Sequence, residues 1–321
     1  MSLIDLHCDT IWKLMMDGEG VTIRENNGSI DLDGMERAGT MAQFFACFVY
    51  MKEFEGERRF SEGYEHALEM IRRMELEVQR EDTLEFAGSV EEIMKHAGQG
   101  KISAVLTVEE GGILDGEMER LSVLYQKGIR LMTLTWNEKN CIGWPNSSNP
   151  KDMARGLTPF GRETVERMNE MGMVVDVSHL SDGGFFEVLD ISRKPVIASH
   201  SNARALCSHP RNLSDDMIRS LSECGGVAGL NFYPYFLNEQ GQVTMAEIAA
   251  HAKHMINVGG SDFLAIGSDF DGYDEGTSDL IHIRQMDQLK QVMEDSGITA
   301  RQMEKIWSEN ALRFLREVWK E

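Results

Sequence analysis

Eight apolar runs, each bounded by turn residues, recur along the chain with room for a helix between most neighbours. They lie around residues 3–8, 41–49, 103–108, 130–135, 173–178, 195–199, 226–232 and 263–268. Segments between them, such as 121–126 and 164–169, have apolar residues at helical spacing. Strands that alternate with helices predict parallel pairing. Runs such as 174–177 are almost continuously apolar, which is typical of strands covered on both faces.

Eight strands of this kind favour a closed (β/α)8 TIM barrel over an open doubly wound sheet. The pattern also predicts a long charged helix from Arg58 to Arg80 and a helix that begins after Ser89 as its N-cap. Three helical segments, at about 279–293, 299–308 and 309–320, follow the eighth strand, and Thr299 opens the second with a capping-box sequence. Because no repeat or linker interrupts the chain, we expect residues 1–321 to form a single α/β barrel domain with extra C-terminal helices.

Polar side chains with metal-binding or acid–base chemistry follow five of the eight runs. The active site of a TIM barrel lies at the carboxyl ends of its strands, so these residues are expected to converge. Residues two apart on one strand point to the same face, so His7 and Asp9 are expected to lie side by side. The residues are His7, Asp9, Glu109, Glu110, His179, His200, Asp269 and Asp271. The other histidines fall in helices or loops, and His251 and His254 are expected to form a solvated helix face.

Three histidines, an aspartate and a glutamate exceed the three protein ligands that a single catalytic zinc takes. The set therefore predicts two divalent metal ions, with zinc favoured. Two such ions can share a water, lower its pKa and polarise a carbonyl, which indicates hydrolysis of an amide or ester. Spacing alone leaves the choice between Glu109 and Glu110 open.

Composition narrows the partners and the compartment. The net charge of −21 and pI near 4.8 argue against a nucleic-acid partner. No apolar run approaches the ~20 residues of a membrane span, so no membrane partner is expected. The first strand begins at Leu3, where a secretory signal would otherwise lie. Five scattered cysteines without a CxxC pair fit reduced thiols, and we expect a cytoplasmic protein.

Taken together, several short motifs in one order resemble the membrane (renal) dipeptidase family of the metal-dependent amidohydrolases. The resemblance extends over nearly the whole chain and rests on the motifs LHCDT at 6–10, VEEGG at 108–112, LTWN at 134–137, GLTPFG at 156–161, VDVSH at 175–179, SHS at 199–201 and GSDFDG at 267–272.

The resemblance implies a zinc dipeptidase and a role for each site residue. His7 and Asp9 hold one zinc, His179 and His200 hold the other, and Glu110 bridges them. Asp269, rather than Asp271, transfers protons as the catalytic acid and base. Arg211 grips the carboxylate of a small dipeptide substrate, and Tyr233 lines the pocket.

The chain departs from animal members of that family at Trp136, where they have a substrate-side histidine. A histidine at this position could donate a hydrogen bond to the oxyanion. Because this chain has Trp136 instead, we expect the metal ions to supply most of the oxyanion stabilisation, helped by Asn137 or Asn140. Trp136 either narrows the pocket or simply packs over the barrel mouth.

Two other functions stay open on the sequence. The chain could be an amidohydrolase acting on another small amide or a lactone, or a metal-containing binding protein without turnover. The retained Asp269 favours an enzyme. The oligomeric state is open between a monomer and a homodimer.

Overall fold

The computed structural model describes residues 1–18, 20–273 and 276–319. Its strands confirm all eight predicted runs and add three short ones. Their bounds are β1 Leu3–Cys8, β2 Thr40–Phe48, β3 Leu84–Phe86, β4 Ile102–Glu109, β5 Ile129–Thr133, β6 Val174–Asp176, β7 Ile197–Ala198, β8 Val227–Leu230, β9 Gln242–Val243, β10 Leu264–Ile266 and β11 Thr277–Ser278.

Eight parallel strands close into the predicted TIM barrel. Their order around the ring is β1, β2, β4, β5, β6, β7, β8 and β10, and β10 pairs again with β1 through Asp5 and Ile266. The short strand β3 pairs with the beginning of β4, while β9 and β11 form a separate two-stranded ladder. The prediction of a closed barrel is therefore confirmed.

Helices occupy most of the connections between strands. Their bounds are α1 Thr10–Asp17, α2 Leu32–Ala38, α3 Arg59–Arg80, α4 Val90–Gly98, α5 Met118–Gln126, α6 Pro150–Met153, α7 Pro159–Met171, α8 Asp182–Ile191, α9 Asp215–Glu223, α10 Pro234–Leu237, α11 Met245–Gly259, α12 Met286–Asp295, α13 Ala300–Glu304 and α14 Asn310–Val318. Single helical turns of other pitch lie at Met51–Glu53, Gly111–Leu114, Ile283–Gln285 and Lys305–Glu309.

Local capping explains where two of the predicted helices begin. The side chain of Ser89 accepts a hydrogen bond from the backbone N–H of Glu92, and Thr299 forms a reciprocal capping box with Gln302. The predicted C-terminal segments correspond to α12, α13 and α14, but the first of these helices begins at Met286 and not near residue 279. Position 320, where the last predicted segment ends, lies outside the described residues.

The C-terminal helix α14 closes the end of the barrel opposite the carboxyl ends of the strands. Ile4, Val174 and Val227, near the starts of their strands, belong to one buried apolar cluster with Phe314 of α14. Because this end is filled with apolar side chains, polar chemistry is confined to the other end, as in other TIM barrels. No helix in the described part of the chain has the length and apolarity that a membrane span requires.

Candidate metal centre

The first strand brings an imidazole and a carboxylate to the carboxyl end of the barrel. His7 lies within β1 and Asp9 directly after it, and both side chains are buried. The Nε2 atom of His7 lies 3.6 Å from Oδ2 of Asp9. The pair therefore lies on one face, as alternation along the strand predicts.

Glu109, the last residue of β4, lies between His7 and two further histidines. Its Oε2 atom is 3.5 Å from Nε2 of His7. Its Oε1 atom is 3.0 Å from Nε2 of His179 and 3.4 Å from Nε2 of His200. The carboxylate thus presents one oxygen to each side of the cluster, which is the arrangement a bridging ligand needs.

Glu110, the residue expected to bridge the ions, does not lie in this cluster, whereas its neighbour Glu109 does. Its Oε1 atom accepts hydrogen bonds from Nδ2 of Asn140 at 2.6 Å and from the N–H of Gly112 at 2.7 Å. Burial raises the pKa of Glu110 to about 7, although these bonds and one from the backbone of Trp136 oppose the rise. Glu110 therefore anchors the loop after β5.

Strand geometry explains why Glu109 and not Glu110 lies in the cluster. In β4, Val105 belongs to the apolar cluster at the closed end, whereas Leu106 belongs to the larger cluster that includes the outer helices. Side chains alternate between faces, so Glu109 lies on the face of Val105. Glu110 comes after the strand with a φ of 97°, and this left-handed backbone turns its side chain away.

His179, which follows β6, and His200, which follows β7, complete the cluster. His179 follows β6 with a φ of 66°, a left-handed conformation that is rare for residues other than glycine and frequent at functional sites. The Nε2 atoms of the two rings are 3.1 Å apart, and the ring of His200 stacks on His7 with centroids 3.8 Å apart. All three imidazoles therefore meet at Glu109.

The unsatisfied polar atoms of the cluster fit divalent metal ions. Both ring nitrogens of His7 and Oδ1 of Asp9 are buried without a hydrogen-bond partner. Ligand atoms of His7, Glu109 and His200 lie within 4.8 Å of one another, as do those of His7, Asp9 and Asp269. Imidazole and carboxylate groups together are typical zinc ligands. Buried polar atoms left unpaired are costly, and a bound cation would satisfy them.

The electrostatics of the cluster also favour a cation. Burial lowers the pKa of His7, but the carboxylates of Glu109 and Asp9 outweigh it and raise this pKa well above its usual value. Burial raises the pKa of Asp9 to about 7, a shift that His7 opposes and Glu109 reinforces. Close carboxylates in a buried site resist ionisation together unless positive charge is present. A metal ion would supply that charge.

Asp269 and Asp271 follow β10 but have different surroundings. The Oδ1 atom of Asp269 lies 3.8 Å from Nε2 of His7, and Oδ2 accepts a 2.8 Å hydrogen bond from Asn231. Burial raises the pKa of Asp269 to about 6. Asp271 instead accepts hydrogen bonds from Thr10 at 2.7 Å and from the N–H of Ser29 at 2.6 Å. Only the first carboxylate faces the cluster.

A cavity of about 440 Å³ opens onto this cluster and is lined largely by aromatic side chains. It contains three of the residues expected to bind substrate, namely Trp136, Asn137 and Tyr233. The remaining lining residues are Asp9, Trp12, Phe48, Tyr50, Glu109, His179, Phe236, Asp269, Gly272 and Tyr273. The residues expected to bind substrate therefore line a pocket next to the candidate metal ligands.

Trp136 lies in the aromatic wall of this cavity. Its ring centroid is 5.0 Å from that of Phe48 and 5.4 Å from that of Tyr50. Oδ1 of the neighbouring Asn137 lies 3.1 Å from Nδ1 of His179. Asn140 is buried and bonded to Glu110, so it does not face the cavity in the way its suggested role requires.

Arg211 is almost fully buried beside the cavity. Its Nη1 donates to Oγ of Ser201 at 3.1 Å and its Nη2 to the carbonyl of His200 at 3.0 Å, whereas its buried Nε has no partner. The guanidinium lies 5.2 Å from the ring centroid of Phe236, which lines the cavity. Burial lowers the pKa of Arg211 to about 10, so the group stays charged at neutral pH.

The expectation that His251 and His254 form a solvated face of α11 is wrong for His251. His251 is buried, and its ring bonds the N–H of Ala203 at 3.2 Å and the carbonyl of Leu237 at 3.0 Å. His254 is partly exposed and lies 2.7 Å from Asp215. His251 therefore joins three segments of the fold, a role that single-residue spacing cannot indicate.

Comparison with known families and structures identifies the family of the chain. The family model described as membrane dipeptidase (peptidase family M19) matches residues 1–320. The chain belongs to the membrane dipeptidase family. Its metal-dependent hydrolase character follows from that membership and from the named dipeptidases among its relatives.

Two curated relatives of this family member cover most of the chain. Dipeptidase tcpJ of Claviceps purpurea is 31% identical over 301 residues, which are 91% of this chain and 69% of the relative. An uncharacterized dipeptidase of Schizosaccharomyces pombe is 32% identical over 302 residues, which are 90% and 71% of the two chains. A metallopeptidase from Rhodobacter sphaeroides, solved with a phosphinate mimic of L-Ala-D-Ala, shares the fold with a TM-score of 0.89, 23% identity and 99% coverage of both chains.

The sequence of this dipeptidase-family chain indicated Trp136 and Tyr233 of the aromatic lining but not Trp12, Phe48 and Tyr50. Trp12 lies one turn into α1, and Phe48 and Tyr50 lie at and after the end of β2. The rule that strand ends face the site could have indicated the last two. Aromatic side chains at strand ends are also common in the core, so this rule alone does not assign them to the site.

Proposed function

We propose that the protein hydrolyses the peptide bond of dipeptides with a free C-terminal carboxylate at a site for two divalent ions, most suitably zinc. The observation that supports this most strongly is the position of Glu109. One of its oxygens faces His7, and the other faces His179 and His200. A carboxylate placed between two sets of ligands suits two ions better than one.

In this proposal His7 and Asp9 hold one ion, His179 and His200 hold the other, and Glu109 is shared. Bound divalent ions acidify a water and polarise the scissile carbonyl. Oδ1 of Asn137 accepts a hydrogen bond from Nδ1–H of His179, which leaves Nε2 of that ring as the ligand atom. The geometry of this group of side chains supports the assignment.

Asp269 is the proposed proton-transfer residue. It lies beside His7 at the cavity, and the amide of Asn231 fixes one of its oxygens. Its carboxylate takes a proton from the attacking water and delivers it to the leaving amine, so one proton moves and no further acid is required. Asn231 is thus a positioning residue that the sequence did not indicate.

Arg211 is the proposed partner of the substrate carboxylate. A buried guanidinium with an unpaired Nε–H is a strong donor for an anionic group, and Phe236 holds it at the edge of the cavity. The Rhodobacter metallopeptidase was solved with a phosphinate mimic of the dipeptide L-Ala-D-Ala, and dipeptides are the substrate class proposed here. Tyr233 and Trp136 would contact the rest of the dipeptide from the cavity wall.

We place the protein in the cytoplasm. All five cysteines are free, and Cys8 and Cys47 are buried in the core, which suits a reducing compartment. Cell fractionation with an antibody against the chain tests this location. Recovery with a membrane or secreted fraction would contradict it.

A hydrolysis screen tests the proposed substrate class. Zinc-reconstituted protein is offered dipeptides, the same dipeptides as C-terminal amides, N-acyl amino acids and lactones. We expect free dipeptides to be cleaved at least ~10-fold faster than their amides, because loss of a charged hydrogen bond at a buried partner costs ~1.5–3 kcal/mol. Equal rates on the free dipeptides and their amides would show that Arg211 does not recognise the substrate carboxylate. A preference for lactones or N-acyl amino acids would replace the dipeptidase proposal, and the absence of all turnover would favour a binding protein.

A further inference from the structure

A buried carboxylate below the candidate metal centre is connected to one of its histidines. Asp176, at the end of β6, is fully buried and accepts four hydrogen bonds. The donors are Oγ1 of Thr133 at 2.6 Å, the N–H of Ser178 at 2.9 Å, and the N–H and Oγ of Ser199 at 2.9 and 2.6 Å. All four partners donate, so this carboxylate acts only as an acceptor.

The hydroxyl of Ser199 passes this constraint on to His200. Oγ of Ser199 lies 2.7 Å from Nδ1 of the imidazole. A serine hydroxyl has one proton, and here that proton is donated to Asp176. The same oxygen must therefore accept from the ring, so Nδ1 of His200 has the proton.

The opposite ring nitrogen is then free to bind a cation. A neutral imidazole with a proton on Nδ1 keeps the lone pair on Nε2. Nε2 of His200 is the atom that lies 3.4 Å from Glu109 and 3.1 Å from Nε2 of His179. The lone pair thus belongs to the nitrogen at the candidate metal centre.

We propose that Asp176 is a positioning residue that sets the tautomer of His200 through Ser199, and so makes Nε2 available as a metal ligand. The inference rests on the proposed metal site. Outer partners that orient a ligating histidine commonly contribute a factor of ~10–100 to metal affinity. Asp176 touches neither substrate nor metal in this account.

Asp5 provides a matched control within the same barrel. It is equally buried and accepts hydrogen bonds from the N–H and Oγ of Ser268 at 2.8 and 2.6 Å and from Gln43 at 3.0 Å. Its contact with His7 is a 3.4 Å bond to the backbone N–H, and neither ring nitrogen of His7 has a partner. Asp5 therefore stabilises the backbone, whereas Asp176 is connected to a ring.

The experiment compares the parent with the isosteric variants Asp176→Asn and Asp5→Asn. An amide at 176 can donate to Oγ of Ser199, which frees the serine proton for Nδ1 of His200 and moves the ring proton to Nε2. Nitrogen-15 NMR of the metal-free proteins reports the tautomer directly, with the signal assigned by its loss in His200→Gln. Zinc affinity is measured by competition with a chelator.

We expect an Nδ1–H ring in the parent and in Asp5→Asn, and an Nε2–H ring in Asp176→Asn. Zinc affinity should fall by about 10–100-fold in Asp176→Asn and stay within about 3-fold in Asp5→Asn. An Nε2–H ring in the parent would overturn the proposal without any variant. So would an unchanged tautomer in Asp176→Asn, or equal loss of affinity in the two variants.

A second variant covers the case in which Asp176→Asn does not fold. Ser199→Ala removes the connecting hydroxyl and leaves Asp176 its bonds to Thr133 and to two backbone N–H groups. Its zinc affinity should fall to a similar extent, and unchanged affinity would overturn the proposal. If the parent binds no zinc at all, the proposed metal function fails, while the tautomer measurement still decides the role of Asp176.

Discussion

At the scale of single residues, backbone conformation determines which side chain faces the site. Glu110, His179, Asp269 and Asp271 all have positive φ in the loops that follow their strands. Such conformations cost about 1–3 kcal/mol each and persist where the surrounding structure requires them. Sequence placed His7, Asp9, His179 and His200 together, but it could not reveal the φ that separates Glu109 from Glu110.

The two aspartates after β10 form a matched pair for testing proton transfer. We expect Asp269→Asn to keep its metal and lose turnover by at least ~10²-fold, the usual scale for a general acid–base group. Asp271→Asn should keep near-parent turnover, because that carboxylate bonds Thr10 and Ser29 instead of facing the cluster. Steady-state kinetics with elemental analysis measure both. Near-parent turnover in Asp269→Asn would assign the proton transfer elsewhere.

Trp136 can be tested by separating its ring from its N–H group. Trp136→Phe keeps the contacts with Phe48 and Tyr50 but lacks the donor, and it should retain turnover within about 3-fold if the indole does not stabilise the oxyanion. Trp136→Ala should lower kcat/KM about 10-fold or more for dipeptides with large apolar side chains, because it removes packing area. A loss of ~10²-fold in Trp136→Phe would identify the N–H as an oxyanion donor.

At the scale of elements, periodicity predicted the barrel strands well and the short pairings poorly. The apolar runs at β2 and β4 are long enough for alternation to be visible. β3 has three residues and β9 and β11 have two each, so no period can be recognised in them. Capping residues located the starts of α4 and α13, because Ser89 and Thr299 act locally. His251 could not be placed, because its partners lie in other segments.

The burial of His251 is expected to make the fold less stable at acidic pH. Burial lowers its pKa to about 4 from 6.5, so below pH 6.5 the unfolded chain binds a proton that the folded chain does not. Stability is therefore lost as the pH falls from about 6.5 towards 4. Between pH 7 and 4.5 the metal-free parent should lose on the order of 2–3 kcal/mol more unfolding free energy than His251→Gln. Denaturant unfolding at both pH values measures the difference, and equal losses would contradict the assignment.

At the scale of the whole molecule, the barrel separates stability from chemistry. Its closed end is filled by α14 and apolar strand residues, whereas three histidines and three carboxylates converge at the open end. The convergence could be predicted because strand ends meet in space when a parallel barrel closes. The full aromatic lining of the cavity could not, because it depends on the paths of the loops after β2, β5, β8 and β10.

The most direct test of the account is the metal content of Glu109→Gln and Glu110→Gln beside the parent. Elemental analysis after zinc reconstitution and removal of free metal should give two ions per chain for the parent and for Glu110→Gln, whose amide can still bond within its loop. Glu109→Gln should hold one ion or fewer and lose dipeptide hydrolysis, because the shared ligand is gone. One ion or fewer in the parent, or two ions and parent turnover in Glu109→Gln, would contradict the two-ion site built around Glu109.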